Sequence, residues 1–308
     1  MLTCLEVRTL YRTILLAVDD DKALPSAVPT VAAYAQSARA RVCVLHVQRD
    51  GAGRPAAASR RLVTAVVEQL WGAGVDACGE VRVVRRGDDA ADVVTRAASA
   101  AEADLVAITV HGSSGLGAAV LGGVSHRVAA GLEVPVLVLR ASANRPGRPA
   151  VVLVAVDGSP ASRLVVAEAA DLARAFTSRV HVVHVEQVSG EDGESGRSVR
   201  AVVEVVVAGL RAGGVEATGE CIRHSAVAVG IAGAAARLGA DLVVMGCRRP
   251  TELGGLLLGS VAHRAVHILR SPVLLVPTSR AAAPARARRG GQVHADRMDR
   301  AVVLLRRA

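Results

Sequence analysis

Two short runs in this chain could do chemistry, and each follows a strongly apolar, β-branched stretch. Asp157-Gly158-Ser159-Pro160 follows the first. A carboxylate, a glycine and a hydroxyl in one tight turn offer polar contacts to a ligand, or equally a turn and a cap for a helix. Gly246-Cys247-Arg248-Arg249 follows the second, and nine residues later comes Gly259-Ser260-Val261. Glycines let a phosphate approach the backbone closely, and a helix starting near Ser260 would aim bare N–H groups at it. The chemistry on offer is the binding of a phosphate-bearing ligand. Arg249 either grips a phosphate through its guanidinium or blocks the loop with its bulk.

The same constellation occurs earlier in altered form. Asp19-Asp20-Asp21-Lys22 stands where Asp157-Gly158-Ser159-Pro160 stands later, and Thr109-Val110-His111-Gly112 is followed after nine residues by Gly122-Gly123. Here Thr109 replaces the first glycine, and Gly123 replaces the hydroxyl-bearing Ser260. Three adjacent carboxylates would repel a triphosphate unless a divalent cation such as Mg2+ intervened. The likeness extends well beyond these loops. The stretch from Asp104-Leu105-Val106 to Val134-Pro135-Val136-Leu137-Val138 recurs without a gap. Its second copy runs from Asp241-Leu242-Val243 to Ser271-Pro272-Val273-Leu274-Leu275-Val276. A repeat this long is a duplicated domain, not a solenoid of small units.

The elements that must position these loops alternate between β and α. In the first half, strands are expected at Thr13–Val18, Arg41–Val47, Glu80–Arg85, Leu105–Thr109 and Val136–Arg140. Between them, helices are expected at Pro25–Arg39, Ala57–Gly72, Ala90–Ala101 and Leu116–Ala130. The second half repeats the strands at Ala150–Val156, Val180–Val185, Glu220–Arg223, Leu242–Met245 and Val273–Val276. This spacing implies an α/β protein of two tandem doubly wound parallel five-stranded sheets, with flavodoxin/Rossmann-type layering and right-handed crossovers. Ligands in such sheets bind beyond the carboxyl ends of the strands, which is where the two runs fall. The expected division is domain 1 at residues 1–143, a Pro/Gly linker at 144–149, domain 2 at 150–279 and a basic, disordered tail at 280–308.

Composition narrows the function. The net charge is +9, but from Arg280 onward there are eight arginines and two aspartates, so most of the surplus lies in the tail. Aromatics are 1% of the chain, too few to stack on bases, so the folded body is not expected to bind nucleic acid. The five cysteines are scattered without a C-x-x-C, which indicates neither a zinc knuckle nor a redox pair, and Cys43 reads as a small core residue. His263 and His267 share a helix face but lack a third ligand in sequence, so no metal site is expected. No apolar run reaches the roughly 18 residues of a membrane span, and the start lacks a signal-peptide layout, so a cytoplasmic protein is expected. Lys22 is the single lysine, leaving no Walker lysine, and no G-x-S-x-G elbow is present. The chain does not read as an enzyme.

The Asp-initiated turn after strand one and the glycine loop after strand four resemble those of the universal stress protein family, whose nucleotide motif is Gly-x-x-Gly, nine residues, then Gly-Ser/Thr. The His-Val ending of strand two and the Pro-Val-Leu-Val of strand five add to the likeness, which covers about residues 11–140 and 149–278. The resemblance implies a nucleotide-α-hydrolase-like fold binding ATP in a regulatory, stress-response role, with hydrolysis slow or absent. It places Asp157 and Asp19 near the ribose or phosphates and Val185 and Val47 beside adenine. Gly158 and Ser159 extend the Asp157 turn, while Gly246, Arg249, Gly259, Ser260 and Val261 would line the phosphates in half two. Gly112, Gly122 and Gly123 would do so in half one. The alternative is an interaction module whose nucleotide sites have degenerated, with an unidentified protein partner. Such families pair through strand five, which implies an intramolecular pseudo-dimer or a homodimer.

Overall fold

The computed structural model describes residues 10–19, 22, 24–49, 56–84, 89–110, 123–140, 147–188, 195–247 and 259–278. In the first half the elements are β1 (Thr13–Val18), α1 (Leu24–Ala38), β2 (Arg41–Arg49), α2 (Ala56–Gly72), β3 (Ala77–Val84), α3 (Ala90–Ala100), β4 (Leu105–Val110), α4 (Gly123–Gly131) and β5 (Val136–Arg140). In the second they are β6 (Val151–Ala155), α5 (Ser162–Phe176), β7 (Arg179–Gln187), α6 (Ser195–Ala212), β8 (Ala217–His224), α7 (Val227–Leu238), β9 (Leu242–Cys247), α8 (Ser260–Ile268) and β10 (Val273–Pro277). The expected tail at 280–308, most of the linker, the Asp20-Asp21 pair and the loop residues Gly112, Gly122 and Arg249 lie outside the described residues.

All ten strands form one sheet, ordered β3-β2-β1-β4-β5-β10-β9-β6-β7-β8. The two expected five-stranded sheets are thus halves of a continuous one. Neighbours are parallel within each half, and β5 meets β10 antiparallel, with Leu137 opposite Leu274. Helices α1, α2, α5 and α6 bury their apolar sides on one face, and α3, α4, α7 and α8 on the other.

The repeated residues turn out to brace the scaffold. Asp104 at the start of β4 accepts the backbone N–H groups of Arg12 (2.9 Å) and Thr13 (3.0 Å), and Asp241 does the same for Ala150 (2.9 Å) and Val151 (3.0 Å). These carboxylates satisfy donors at the amino edge of the sheet that no ladder reaches. At the carboxyl edge, Nδ1 of His46 and of His184 each donate to the last carbonyls of the first-strand segments, Val18 and Val156, at 2.9 Å. Strand β3 begins earlier than expected because the Ala77-Cys78-Gly79 run, which looks loop-like, is pleated. A Cβ on Gly79 would lie 2.3 Å from Val63 Cγ1 of α2, so glycine is what lets that helix seat.

The seam between halves collects the scarce aromatics. Tyr11, Tyr34 and Phe176, both tyrosines and the single phenylalanine of the chain, stack where α1 meets α5. The Tyr11 hydroxyl donates to Glu168 across the seam at 2.5 Å. On the opposite face, His126 of α4 and His263 of α8, equivalent positions in the repeat, meet edge to face with ring centroids 5.1 Å apart, and His267 lies 4.5 Å from His263. Sequence spacing could not supply His126 as a neighbour; the seam does. Among the described residues, however, no group of His, Cys, Asp or Glu is arranged to hold a metal ion.

Leu137 and Leu274 are fully buried at the centre of this seam. Leu137→Ala should lower the unfolding free energy by about 2–5 kcal/mol, measured by urea titration, with both halves unfolding in register. Burial first, then the neighbouring imidazoles and Arg127, holds His126 below the usual histidine range, and burial and His267 do so for His263. Because the neutral rings are favoured only in the folded chain, the unfolded chain takes up protons first as pH falls below about 6.5. Stability should therefore decline on that acidic side and stay flat above it, and His126→Gln should flatten the decline; an unchanged slope would contradict the assignment.

Candidate functional site

The carboxyl edge of half two forms a cleft of about 370 Å³. Of the residues singled out by sequence, Asp157, Ser159, Val185, Gly246, Gly259, Ser260 and Val261 all line it. Gly158 sits in the turn beneath with φ +75°, a left-handed conformation that favours glycine. Asp157 anchors that turn: its Oδ1 accepts from Ser159 N–H at 3.0 Å and Ser162 Oγ–H at 2.7 Å, at the first turn of α5. The turn-and-cap role is therefore real, and the same carboxylate forms part of the cleft wall.

The opposite wall is the start of α8. Its first intrahelical bond runs from His263 N–H to the Gly259 carbonyl, 2.9 Å, so the N–H groups of Ser260, Val261 and Ala262 have no acceptor within the helix. Among the described residues, no side chain caps the helix at Gly259. Such an end carries partial positive charge and suits an anion. The two glycines of the motif differ in purpose. A Cβ on Gly246 would meet Thr278 Cγ2 at 2.9 Å, and Thr278 is pinned because its N–H and Oγ–H both donate to the Cys247 carbonyl at 3.0 Å. Gly246 therefore serves packing. A Cβ on Gly259 would meet nothing within 4 Å among the described residues, so that glycine leaves room on the cleft side.

Away from α8 the lining becomes apolar, with Val183, Val185, Val227, Ile231 and Met245. His184, a lining residue that the sequence reading set aside, donates from Nδ1 to the Val156 carbonyl at the mouth of the cleft. One end thus suits an anion and the other a flat apolar group, a division typical of small-molecule clefts.

Half one is built on the same elements but its carboxyl edge is different. Thr109 fills the position of Gly246, is buried, and accepts a long 3.4 Å bond from Asp19 N–H through Oγ1. Val47 is half-buried at the end of β2, and Gly123 opens α4. A cation that sequence reading passed over sits here as well. Arg140, at the end of β5 beside Val110, is 7% exposed, and its Nε and Nη2 have no hydrogen-bond partner among the described residues. Burial pushes its pKa down.

The fold and cleft define a tandem doubly wound protein with an anion-accepting helix start in its second half. The model of the universal stress protein family matches residues 10–140 and again 150–277, and the chain belongs to that family. A universal stress protein from Archaeoglobus fulgidus DSM 4304 superposes with TM-score 0.67 at 19% identity, covering 88% of this chain and 100% of its own. A structure from Pseudomonas aeruginosa UCBPP-PA14 gives TM-score 0.69 at 19% identity, covering 89% and 95%. A comparison with curated protein sequences found no match. Among the described residues, no helix is long and apolar enough to cross a membrane.

The contrast between the glycines is testable without a ligand. Gly246→Ala should destabilise the fold by about 1–3 kcal/mol through overpacking. Gly259→Ser should change stability by less than about 0.5 kcal/mol or raise it slightly, since serine caps helices well. Thermal denaturation of the two variants reads the difference, and equal losses would show that both glycines serve packing.

Proposed function

We propose that this chain is a nucleotide-binding regulatory protein of the stress-response type, holding ATP in its second half and not turning it over. The observation that carries this reading is the α8 start, uncapped and preceded by Gly259, opening on a cleft whose far wall is apolar. In this reading the phosphates lie against the N–H groups of Ser260 and Val261, with Gly259 giving room and Arg249 adding charge. The ribose side meets Asp157 and Ser159, and the base rests on Val185. Membership of the universal stress protein family supports the choice of a nucleotide over other anions. The site of action in this reading is the cytoplasm, with a protein partner that senses the loaded state.

A second reading, an interaction module with lost ligand sites, is favoured by half one, where Thr109 occupies the space of the first motif glycine. Asp19, Val47, Gly112, Gly122 and Gly123 would then be remnants of a former site. Mg2+ would matter only where Asp19, Asp20 and Asp21 crowd together.

Purified protein, denatured and analysed for released small molecules, should yield ATP. The yield should vanish on Gly259→Glu and persist on Gly122→Glu. Added ATP at about 100 times its Kd should stabilise the protein by roughly 2.7 kcal/mol. The absence of both released nucleotide and a thermal shift would sink the proposal and leave the interaction module standing.

A further inference from the structure

Scattered in sequence, two of the five cysteines are neighbours in space. Cys43 of β2 and Cys78 of β3 are directly paired in the parallel ladder, and their sulfurs lie 3.7 Å apart. Sequence spacing indicates no such pair, and Cys43, expected as a small core residue, is half-buried and packed against the core. A C-x-x-C search detects partners along the chain and is blind to partners across a ladder.

The fold does not require this pair. The duplicate half has the same register, with Arg179-Val180-His181 matching Arg41-Val42-Cys43 and Ala217-Thr218-Gly219-Glu220 matching Ala77-Cys78-Gly79-Glu80. There the equivalent partners are His181 and Thr218, joined by a 2.7 Å hydrogen bond. The position thus accepts an ordinary polar pair, and half one carries two thiols instead. Gly79, packed against α2, fixes which way the strand faces, so Cys78 looks to the opposite side. There Cys43 packs at the margin of the α3 and α4 core. Strand β3 is the edge of the sheet, which keeps this margin open to small reagents.

We propose that Cys43 and Cys78 are a reversible dithiol–disulfide couple, a modification site for hydroperoxides at the outer edge of half one. Neighbouring strands run about 4.8 Å apart, inside the Cα separation of about 4.4–6.8 Å that a disulfide spans. Cys78, on the outermost strand, is the attacking group. The Cys43 thiol can donate to its sulfur, and with help from Arg41 against burial and the Asp76 and Glu80 carboxylates its pKa falls to about 7. Cys43 keeps its proton, its pKa raised by the same hydrogen bond and by burial. The Cys78 thiolate attacks the peroxide O–O bond, giving Cys78 sulfenic acid and releasing hydroxide from hydrogen peroxide or alkoxide from an organic hydroperoxide, which takes up a proton to become water or an alcohol. The Cys43 sulfur then displaces the sulfenic hydroxyl as water, forming the S–S bond. Two electrons leave the sulfurs and reduce the peroxide, and a small thiol reverses the step by exchange. Closure staples the edge strand β3 to β2.

The full chain tests this directly. Hydrogen peroxide followed by denaturing alkylation and peptide mass mapping should show a Cys43–Cys78 link, two fewer free thiols, and full recovery with dithiothreitol. Before oxidation, iodoacetamide at pH 7 should label Cys78 about tenfold faster than the exposed Cys221, whose pKa burial raises. In Cys43→Ser, whose fold the His181 counterpart shows to be tolerant, peroxide should leave a Cys78 sulfenic acid trapped by dimedone, with no link. Peroxide that leaves both thiols intact in wild type, links other cysteines instead, or drives Cys78 to sulfinic acid with Cys43 free would overturn the couple.

Discussion

The antiparallel pairing of β5 with β10 is the constraint on which the rest of the molecule depends. It fuses two parallel sheets into one and buries Leu137 against Leu274 at its centre. It also reverses strand direction across the seam. Ligands in a doubly wound sheet bind at carboxyl edges, so reversal sends the two edges to opposite ends of the sheet. A change at one cleft does not have to be accommodated at the other. The scaffold residues that both halves share, Asp104 with Asp241 and His46 with His184, are those that hold strands in place. The loops, relieved of that task, differ freely.

That separation explains the uneven condition of the two clefts. In half two Gly246 leaves space that Thr278 fills in a pinned rotamer, while Gly259 leaves space on the cleft side. In half one Thr109 puts a side chain where the first of these glycines would be and turns it towards Asp19. Arg140, buried at the same edge, has Nε and Nη2 without a hydrogen-bond partner among the described residues. The two halves share an architecture but differ in side chains at their carboxyl edges.

Much of this was legible in the sequence. Alternation of β-branched and Ala-rich runs located every strand, because buried parallel strands are apolar on both faces and bounded by turn residues. The Asp157 turn and the Gly259-Ser260 helix start were legible because glycine and short polar residues mark turns and helix caps. What escaped was anything made by proximity across the sheet. Gly79 beside Cys78 looked like loop, since only the approach of α2 explains a glycine there. Cys43 and Cys78 looked unrelated, and His126 gave no sign of lying against His263, because their meeting depends on ladder register and on the seam. His184 was passed over since its bond to Val156 depends on where β7 ends.

The central claim is that one cleft of two binds nucleotide. Isothermal titration of ATP into nucleotide-free protein measures it most directly. The account predicts a stoichiometry of one ATP per chain; two equivalent sites per chain, or no heat of binding at all, would contradict it.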